Sequence, residues 1–140
     1  GNLDKALTFF EDETELFEAL YASYPQNVGF KNGLAISYSK LGSTHASLGN
    51  LDKALTFFEE YNELRESLYA SYPQNVGFKN GLAISYYKLG QISKKRKEPL
   101  KAKSHYQQAE QHWIELADAF PAYVEFSRNL GIVRRVIEEL

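Results

Sequence analysis

Hydrophobic residues recur at steps of three and four along most of the chain. Between residues 51 and 72 they are Leu51, Ala54, Leu55, Phe58, Tyr61, Leu64, Leu68 and Tyr72. This spacing places them on one face of an α-helix. Pro73 ends that helix, because proline lacks an N–H and disfavours helical geometry in the residue before it. Asn75 follows where a cap for the next helix is expected. No stretch alternates as a β-strand does, so the pattern predicts helices alone.

The same pattern occurs three times at a constant offset, since position 1 corresponds to position 49 and then to position 97. Residues 1–42 and 49–90 are identical at 36 of 42 positions, and a third copy keeps mainly the apolar positions. Such repeats indicate stacked helical hairpins that cover each other's apolar faces. We therefore predict one array of three units, 1–48, 49–96 and 97–140. It should contain about six antiparallel helices, over residues 3–23, 27–48, 51–71, 75–96, 99–119 and 122–139.

Several residues of the first hairpin resemble the tetratricopeptide-repeat signature. They are a Leu-Gly pair, a turn glycine, and a small residue followed by an aromatic: Leu41, Gly42, Gly49, Ala54 and Phe58. The next unit is similar, although Lys97 replaces the turn glycine. The resemblance implies an all-α, right-handed α-solenoid. The usual repeat has about 34 residues, so we interpret the longer one as about two extra turns on each helix. It is similar to long-helix arrays that accompany nucleotide-binding or protease-like modules in bacterial signalling proteins.

The order of the helices suggests a fragment of a longer protein. The chain begins with a helix that corresponds to the second helix of a repeat pair, and it ends with one that corresponds to the first helix of a pair. Solenoids normally end in polar caps. We expect an apolar stripe on the first helix to stay uncovered. Phe9, Phe10 and Phe17 are therefore candidates for self-association into a homo-oligomer.

The resemblance also implies where a partner binds, because the first helix of each pair lines the concave face in this family. The side chains expected to point away from the second helix are Asn32, Ser39, Lys40, Ser43 and Ser47, and their counterparts Asn80, Tyr87, Lys88, Gln91 and Lys95. The two copies differ at positions 39/87, 43/91 and 47/95. Two interpretations are open: the surface is adapted to a partner, or exposed positions have changed freely without a function. Tyr87 is the best single anchor, since tyrosine offers area and a hydrogen bond at low entropy cost.

A basic run, Lys94, Lys95, Arg96 and Lys97, follows the second of these helices. It could hold an acidic peptide, a carboxylate or a phosphate, or it could be a solvated helix end. A nucleic-acid patch is disfavoured, because the net charge is −2 and no broader basic face accompanies the run. Gly33 and Gly81 lie within helices, where they suggest close packing or a slot for a ligand.

No motif of catalysis, metal binding or phosphate binding is present. His105 and His112 are two turns apart, too far to share a metal. His45 fits a packing role, and the many glutamates fit a charged outer face better than acid–base work. We predict no enzyme activity, no cofactor, no metal, and neither nucleic-acid nor membrane binding. Cysteine is absent, which is compatible with the cytoplasm. The predicted function is a scaffold that binds a peptide or protein on its concave face. The alternatives are a spacer or oligomerisation element, or a regulatory arm of a signalling module.

Overall fold

A computed structural model describes all 140 residues and contains six α-helices and no strand. The helices are α1 (Asn2–Ser23), α2 (Val28–Ser47), α3 (Leu51–Ser71), α4 (Val76–Lys95), α5 (Pro99–Ala119) and α6 (Val124–Glu138). Every boundary lies within about two residues of the prediction, which is the usual scatter of helix ends. The all-α class, the six helices and the packing of helices in succession are therefore confirmed.

Asparagine caps the N-termini of α2 and α4. The Asn27 Oδ1 atom accepts a hydrogen bond from the Phe30 N–H at 2.9 Å, and the Asn75 Oδ1 atom accepts one from the Phe78 N–H at 2.9 Å. Each cap satisfies a backbone donor that has no partner inside the helix. The two caps occupy equivalent positions of the repeat, so the two helices start in the same way.

The turns after α2 and α4 both need a left-handed residue. Gly49 has a φ of +82° and Lys97 has a φ of +62°. Glycine adopts this conformation freely, whereas for a residue with a Cβ atom it is energetically unfavourable. The lysine turn keeps the geometry of the glycine turn, so the second hairpin has the same loop length as the first.

The chain divides into two compact units, residues 1–70 and 71–140. In the first unit α1 and α3 both pack on α2. The Phe17 ring of α1 lies against Gly33, and the Phe58 ring of α3 lies against Gly42. A Cβ atom on these glycines would come within 2.4 Å of Phe17 and 2.6 Å of Phe58. Close helix packing therefore explains Gly33.

In the second unit α5 packs between α4 and α6. Its core consists of Ala83, Ala102, Tyr106, Ala109, Trp113, Leu116, Phe126 and Val133. Gly90 of α4 lets the Tyr106 ring approach so closely that an added Cβ would lie 2.5 Å from it. No helix is both long enough and apolar enough to cross a membrane.

Candidate functional site

The outer side of α2 carries small polar side chains around one exposed apolar residue. Ile36 is 39% exposed, and Ser43 and Ser47 follow it by two and three turns on the same side. Ser47 is exposed, whereas Ser39 and Ser43 are half-buried. The serine hydroxyl groups can donate and accept hydrogen bonds, and Ile36 offers apolar contact area.

Lys40 borders this side and contacts α1. Its Nζ atom lies 3.3 Å from Glu13 Oε1 and 5.5 Å from the centre of the Phe10 ring. The ion pair is partly exposed, so its contribution to stability is small. Lys40 therefore points away from α3, as the sequence predicted, but its charge is already paired.

Asn32 and Asn80 point toward the second helix of their hairpins, so their predicted orientation is wrong. The Asn32 Oδ1 atom accepts a hydrogen bond from Arg65 Nη1 at 2.6 Å. The Asn80 Oδ1 atom accepts one from Trp113 Nε1 at 2.9 Å. The asparagine has the same role in both copies, although the donor changes from a guanidinium to an indole. Both side chains thus stabilise their own hairpin.

The predicted orientation of Tyr87 is also wrong, because its ring packs on α5. The ring centre lies 5.4 Å from that of Tyr106 and 6.0 Å from that of Trp113. Burial raises the pKa of the Tyr87 hydroxyl. The difference between Ser39 and Tyr87 therefore accompanies the difference between Arg65 and Trp113, since a large ring packs well on an indole.

The remaining predicted residues of α4 stay near solvent. Gln91 and Lys95 are exposed, and Lys88 is half-buried. Burial lowers the pKa of the Lys88 ammonium group.

The basic run after α4 is partly paired. Arg96 Nε lies 2.8 Å from Glu98 Oε1, and Lys101 Nζ lies 3.0 Å from Glu98 Oε2. Hydrogen bonds from Arg96 and then Lys101 lower the pKa of the Glu98 carboxyl. Lys94, Lys95 and Lys97 remain exposed. A ligand carboxylate at this run would have to compete with Glu98 for Arg96.

A cleft of about 560 Å³ lies on the other side of α2, where the sequence pattern predicted no site. Leu34 and Tyr38 of α2 form its floor, while α1 and α3 form its walls. Leu34 and Ser43 are separated by about two and a half helical turns, so they face opposite ways. The glutamates of α1 and α3 were the only signal in the sequence, and they were interpreted as an outer face.

The hairpin of α2 and α3 is the part of the chain that matches a known family. A sequence model of the tetratricopeptide repeat matches residues 35–68, from within α2 to near the end of α3. The match includes the close approach of Phe58 to Gly42. This match supports a protein of the tetratricopeptide-repeat family. No curated protein matches it.

Tetratricopeptide repeats generally mediate protein–protein interaction and are generally non-catalytic. The buried residues of this repeat fit that role. His45 is 4% exposed and stacks on Phe57, with 5.5 Å between ring centres. Its Nδ1 atom lies 3.3 Å from Asn50 Nδ2. Burial, and then the nearby Lys53 charge, lower the pKa of His45. The predicted packing role of His45 is confirmed.

The two other histidines of the chain also pack against an aromatic ring. The ring centres of His105 and His112 lie 6.5 Å and 6.1 Å from that of Tyr86. No group of three or more histidine, cysteine, aspartate or glutamate side chains is arranged to hold a metal ion.

The predicted self-association residues of α1 occupy different environments. Phe17 packs on Gly33, so its placement in an open stripe is wrong. Phe10 is half-buried, and its ring centre lies 5.8 Å from that of Phe9. Phe9 is 63% exposed and Leu16 is 59% exposed. The open stripe of α1 thus contains Phe9 and Leu16, which are two turns apart.

Proposed function

We propose that this tetratricopeptide-repeat protein binds a peptide or protein partner through the outer sides of α2 and α4. The observation that carries the proposal is that the outer sides of these two equivalent helices present different polar side chains. Ser43 corresponds to Gln91, and Ser47 corresponds to Lys95, and all four lie at exposed or half-buried positions. The third difference, between Ser39 and Tyr87, is accounted for by packing on Trp113.

The two outer sides favour different parts of a partner. The α2 side offers Ile36 for contact with an apolar side chain, and hydroxyl groups that can form hydrogen bonds with backbone amides. The α4 side offers the Gln91 amide and the Lys95 ammonium group, beside the exposed Lys94. We expect the segment that meets α4 to carry an acidic residue, because opposite charges favour association and orient it. We also propose a cytoplasmic location and a bacterial signalling context, which rest on the resemblance to long-helix arrays alone.

A peptide selected on the purified chain tests this proposal. A random peptide library would supply the ligand, and titration would be followed by amide shifts in ¹⁵N spectra. Ser43→Arg and Gln91→Arg should each weaken binding about tenfold or more, because we expect a bulky charged side chain at a central contact to cost about 1.4 kcal/mol or more. Gln107→Arg, at an exposed position of α5, is the control and should bind as the unaltered chain does. Equal affinity of all three variants would refute the proposed surface.

Self-association is a second candidate function, favoured by the exposed side chains of Phe9 and Leu16 on α1. Large apolar side chains exposed on one side of a helix favour pairing with another apolar surface. If the chain self-associates through them, Phe9→Lys should abolish a dimer seen by sedimentation at high concentration. Leu100 is 84% exposed on α5, so Leu100→Lys is the matched control. A dimer that survives Phe9→Lys would exclude this stripe.

A further inference from the structure

The cleft between α1 and α3, with α2 at its floor, combines an apolar floor with acidic walls. We propose that it binds an arginine side chain presented by a basic segment of a partner protein. The volume of about 560 Å³ lies within the range of protein ligand sites. The site faces away from Ser43 and Ser47, so it is independent of the surface in the proposed function.

The cleft is lined by three carboxylates and one ammonium group, so its net charge is negative. Glu18 of α1 and Glu60 and Glu63 of α3 line the cleft together with one cation, Lys31. The Lys31 ammonium group donates to the Ser67 hydroxyl and forms no ion pair with the three carboxylates. A cation entering the cleft would therefore meet two or three carboxylates that do not have to break an existing salt bridge.

The floor positions two of these carboxylates. The Tyr38 hydroxyl donates to Glu18 Oε2 at 3.1 Å, and the Glu60 carboxylate is close enough to affect the pKa of Tyr38. Burial, and then the Glu60 and Glu18 charges, hold the pKa of Tyr38 above its usual range. A hydroxyl has one hydrogen and can serve only one carboxylate at a time. The other carboxylate keeps its acceptor capacity for a ligand.

The apolar lining favours arginine over lysine. Tyr21, Leu34 and Leu64 can cover the methylene groups of a long side chain. A guanidinium group is planar, stacks on aromatic rings and has donors in a fixed fork that can contact two carboxylates. An ammonium group is a compact point charge without a flat face to stack. The combination of tyrosine rings with separate carboxylates therefore fits arginine best.

The chain contains its own neutral version of the acidic wall. At the corresponding positions of the next repeat unit, Gln108 and Gln111 of α5 replace Glu60 and Glu63. There the counterpart of Lys31, Lys79, forms an ion pair with Glu115 at 2.6 Å. The fold therefore tolerates glutamine in place of glutamate at these two helix positions. We infer that Glu60 and Glu63 serve binding and are not needed for folding.

The test uses the full chain and a defined probe. The probe is a fluorescein-labelled hexapeptide of alternating glycine and arginine, and its control has citrulline, a neutral analogue, in place of arginine. Glu60→Gln combined with Glu63→Gln copies the residues at 108 and 111. Glu15→Gln combined with Glu59→Gln removes the same charge from exposed positions outside the cleft. Anisotropy gives the affinity, and ¹⁵N spectra show which amides shift.

The proposal expects the arginine peptide to bind and to shift the amides of Ala22 and Leu34. Loss of Glu60 and Glu63 should weaken it about tenfold, since each carboxylate contributes a charge-assisted hydrogen bond. The matched control should lose less than about threefold, the effect of net charge alone.

Four outcomes would overturn the proposal. They are no binding of the arginine peptide, equal binding of the citrulline peptide, equal weakening by the two double variants, and shifts confined to other helices. Equal affinity for free arginine methyl ester would also overturn it, because the cleft would then be a site for small cations and not for a peptide segment.

Discussion

Gly90 offers a sharp test of how this fold packs, because the same substitution can be made at a matched site. Gly90 lies inside α4 against the Tyr106 ring, and Gly131 lies inside α6 with nothing within 4 Å of an added Cβ. Alanine is favoured over glycine in a helix by about 1 kcal/mol. Gly131→Ala should therefore stabilise the protein by about that amount.

Gly90→Ala gains the same helix preference but creates a collision. The new Cβ would lie 2.5 Å from the Tyr106 ring, and Tyr106 is only 1% exposed. Overpacking of this kind typically costs about 1–3 kcal/mol, and a ring enclosed by its core favours the upper end. The net effect should be a loss of about 2 kcal/mol. At about 2–4 °C per kcal/mol for a chain of this size, the melting temperature should fall by about 4–8 °C.

Urea unfolding followed by circular dichroism in the far ultraviolet measures both variants. A second comparison tests the cause: in the Tyr106→Leu background, Gly90→Ala should cost much less, since the ring is gone. If Gly90→Ala is as stable as Gly131→Ala, the close approach of the ring does not explain the glycine. The same would follow if the cost persisted without the ring.

Two further predictions concern the turn after α4 and the buried histidine. Lys97 has a φ of +62°, so Lys97→Gly should raise the free energy of unfolding by about 0.5–1 kcal/mol. Lys97→Ala removes the charge but keeps the Cβ, and equal stabilisation by both would contradict the backbone explanation. Burial lowers the pKa of His45, so the unfolded chain gains a proton that the folded chain resists. Stability should therefore fall as the pH drops below about 6.5. Urea midpoints measured at about pH 7.5 and about pH 5.5 give the size of this fall, and it should be smaller in His45→Phe than in the unaltered chain. A fall of the same size in both proteins would contradict this explanation.

The sequence was sufficient to predict the helices, because their signals are local. Apolar residues at helical spacing, Pro73 and the Asn75 cap each act within one turn of the chain. The repeat supported the boundaries further, since the first two units carry the same signals at equivalent positions. The Leu-Gly pair indicated the family for a physical reason that the structure supplies, namely the close approach of Phe58 to Gly42.

The binding surface was predicted less well. Helical spacing places Ser43 and Ser47 on one helix face, and in the structure Ser43 is half-buried and Ser47 is exposed. Asn32 and Tyr87 sit at the edge of that face, where a small rotation about the helix axis decides whether a side chain points to solvent or to a neighbour. Helical spacing does not resolve such an angle. Phe17 was misplaced for the same reason.

By itself, the sequence determined the number, length and order of the helices and the family, since these follow from hydrophobic period, caps and repeat. Only the tertiary structure decided which polar side chains form hydrogen bonds between helices and where a cleft lies. Arg65 and Trp113 occupy equivalent positions in related hairpins, yet one gives an asparagine a guanidinium donor and the other an indole donor. Likewise, the acidic cleft exists because α1 and α3 project on either side of α2. Such features depend on how far side chains from separate helices reach into the same space, and no local pattern encodes that.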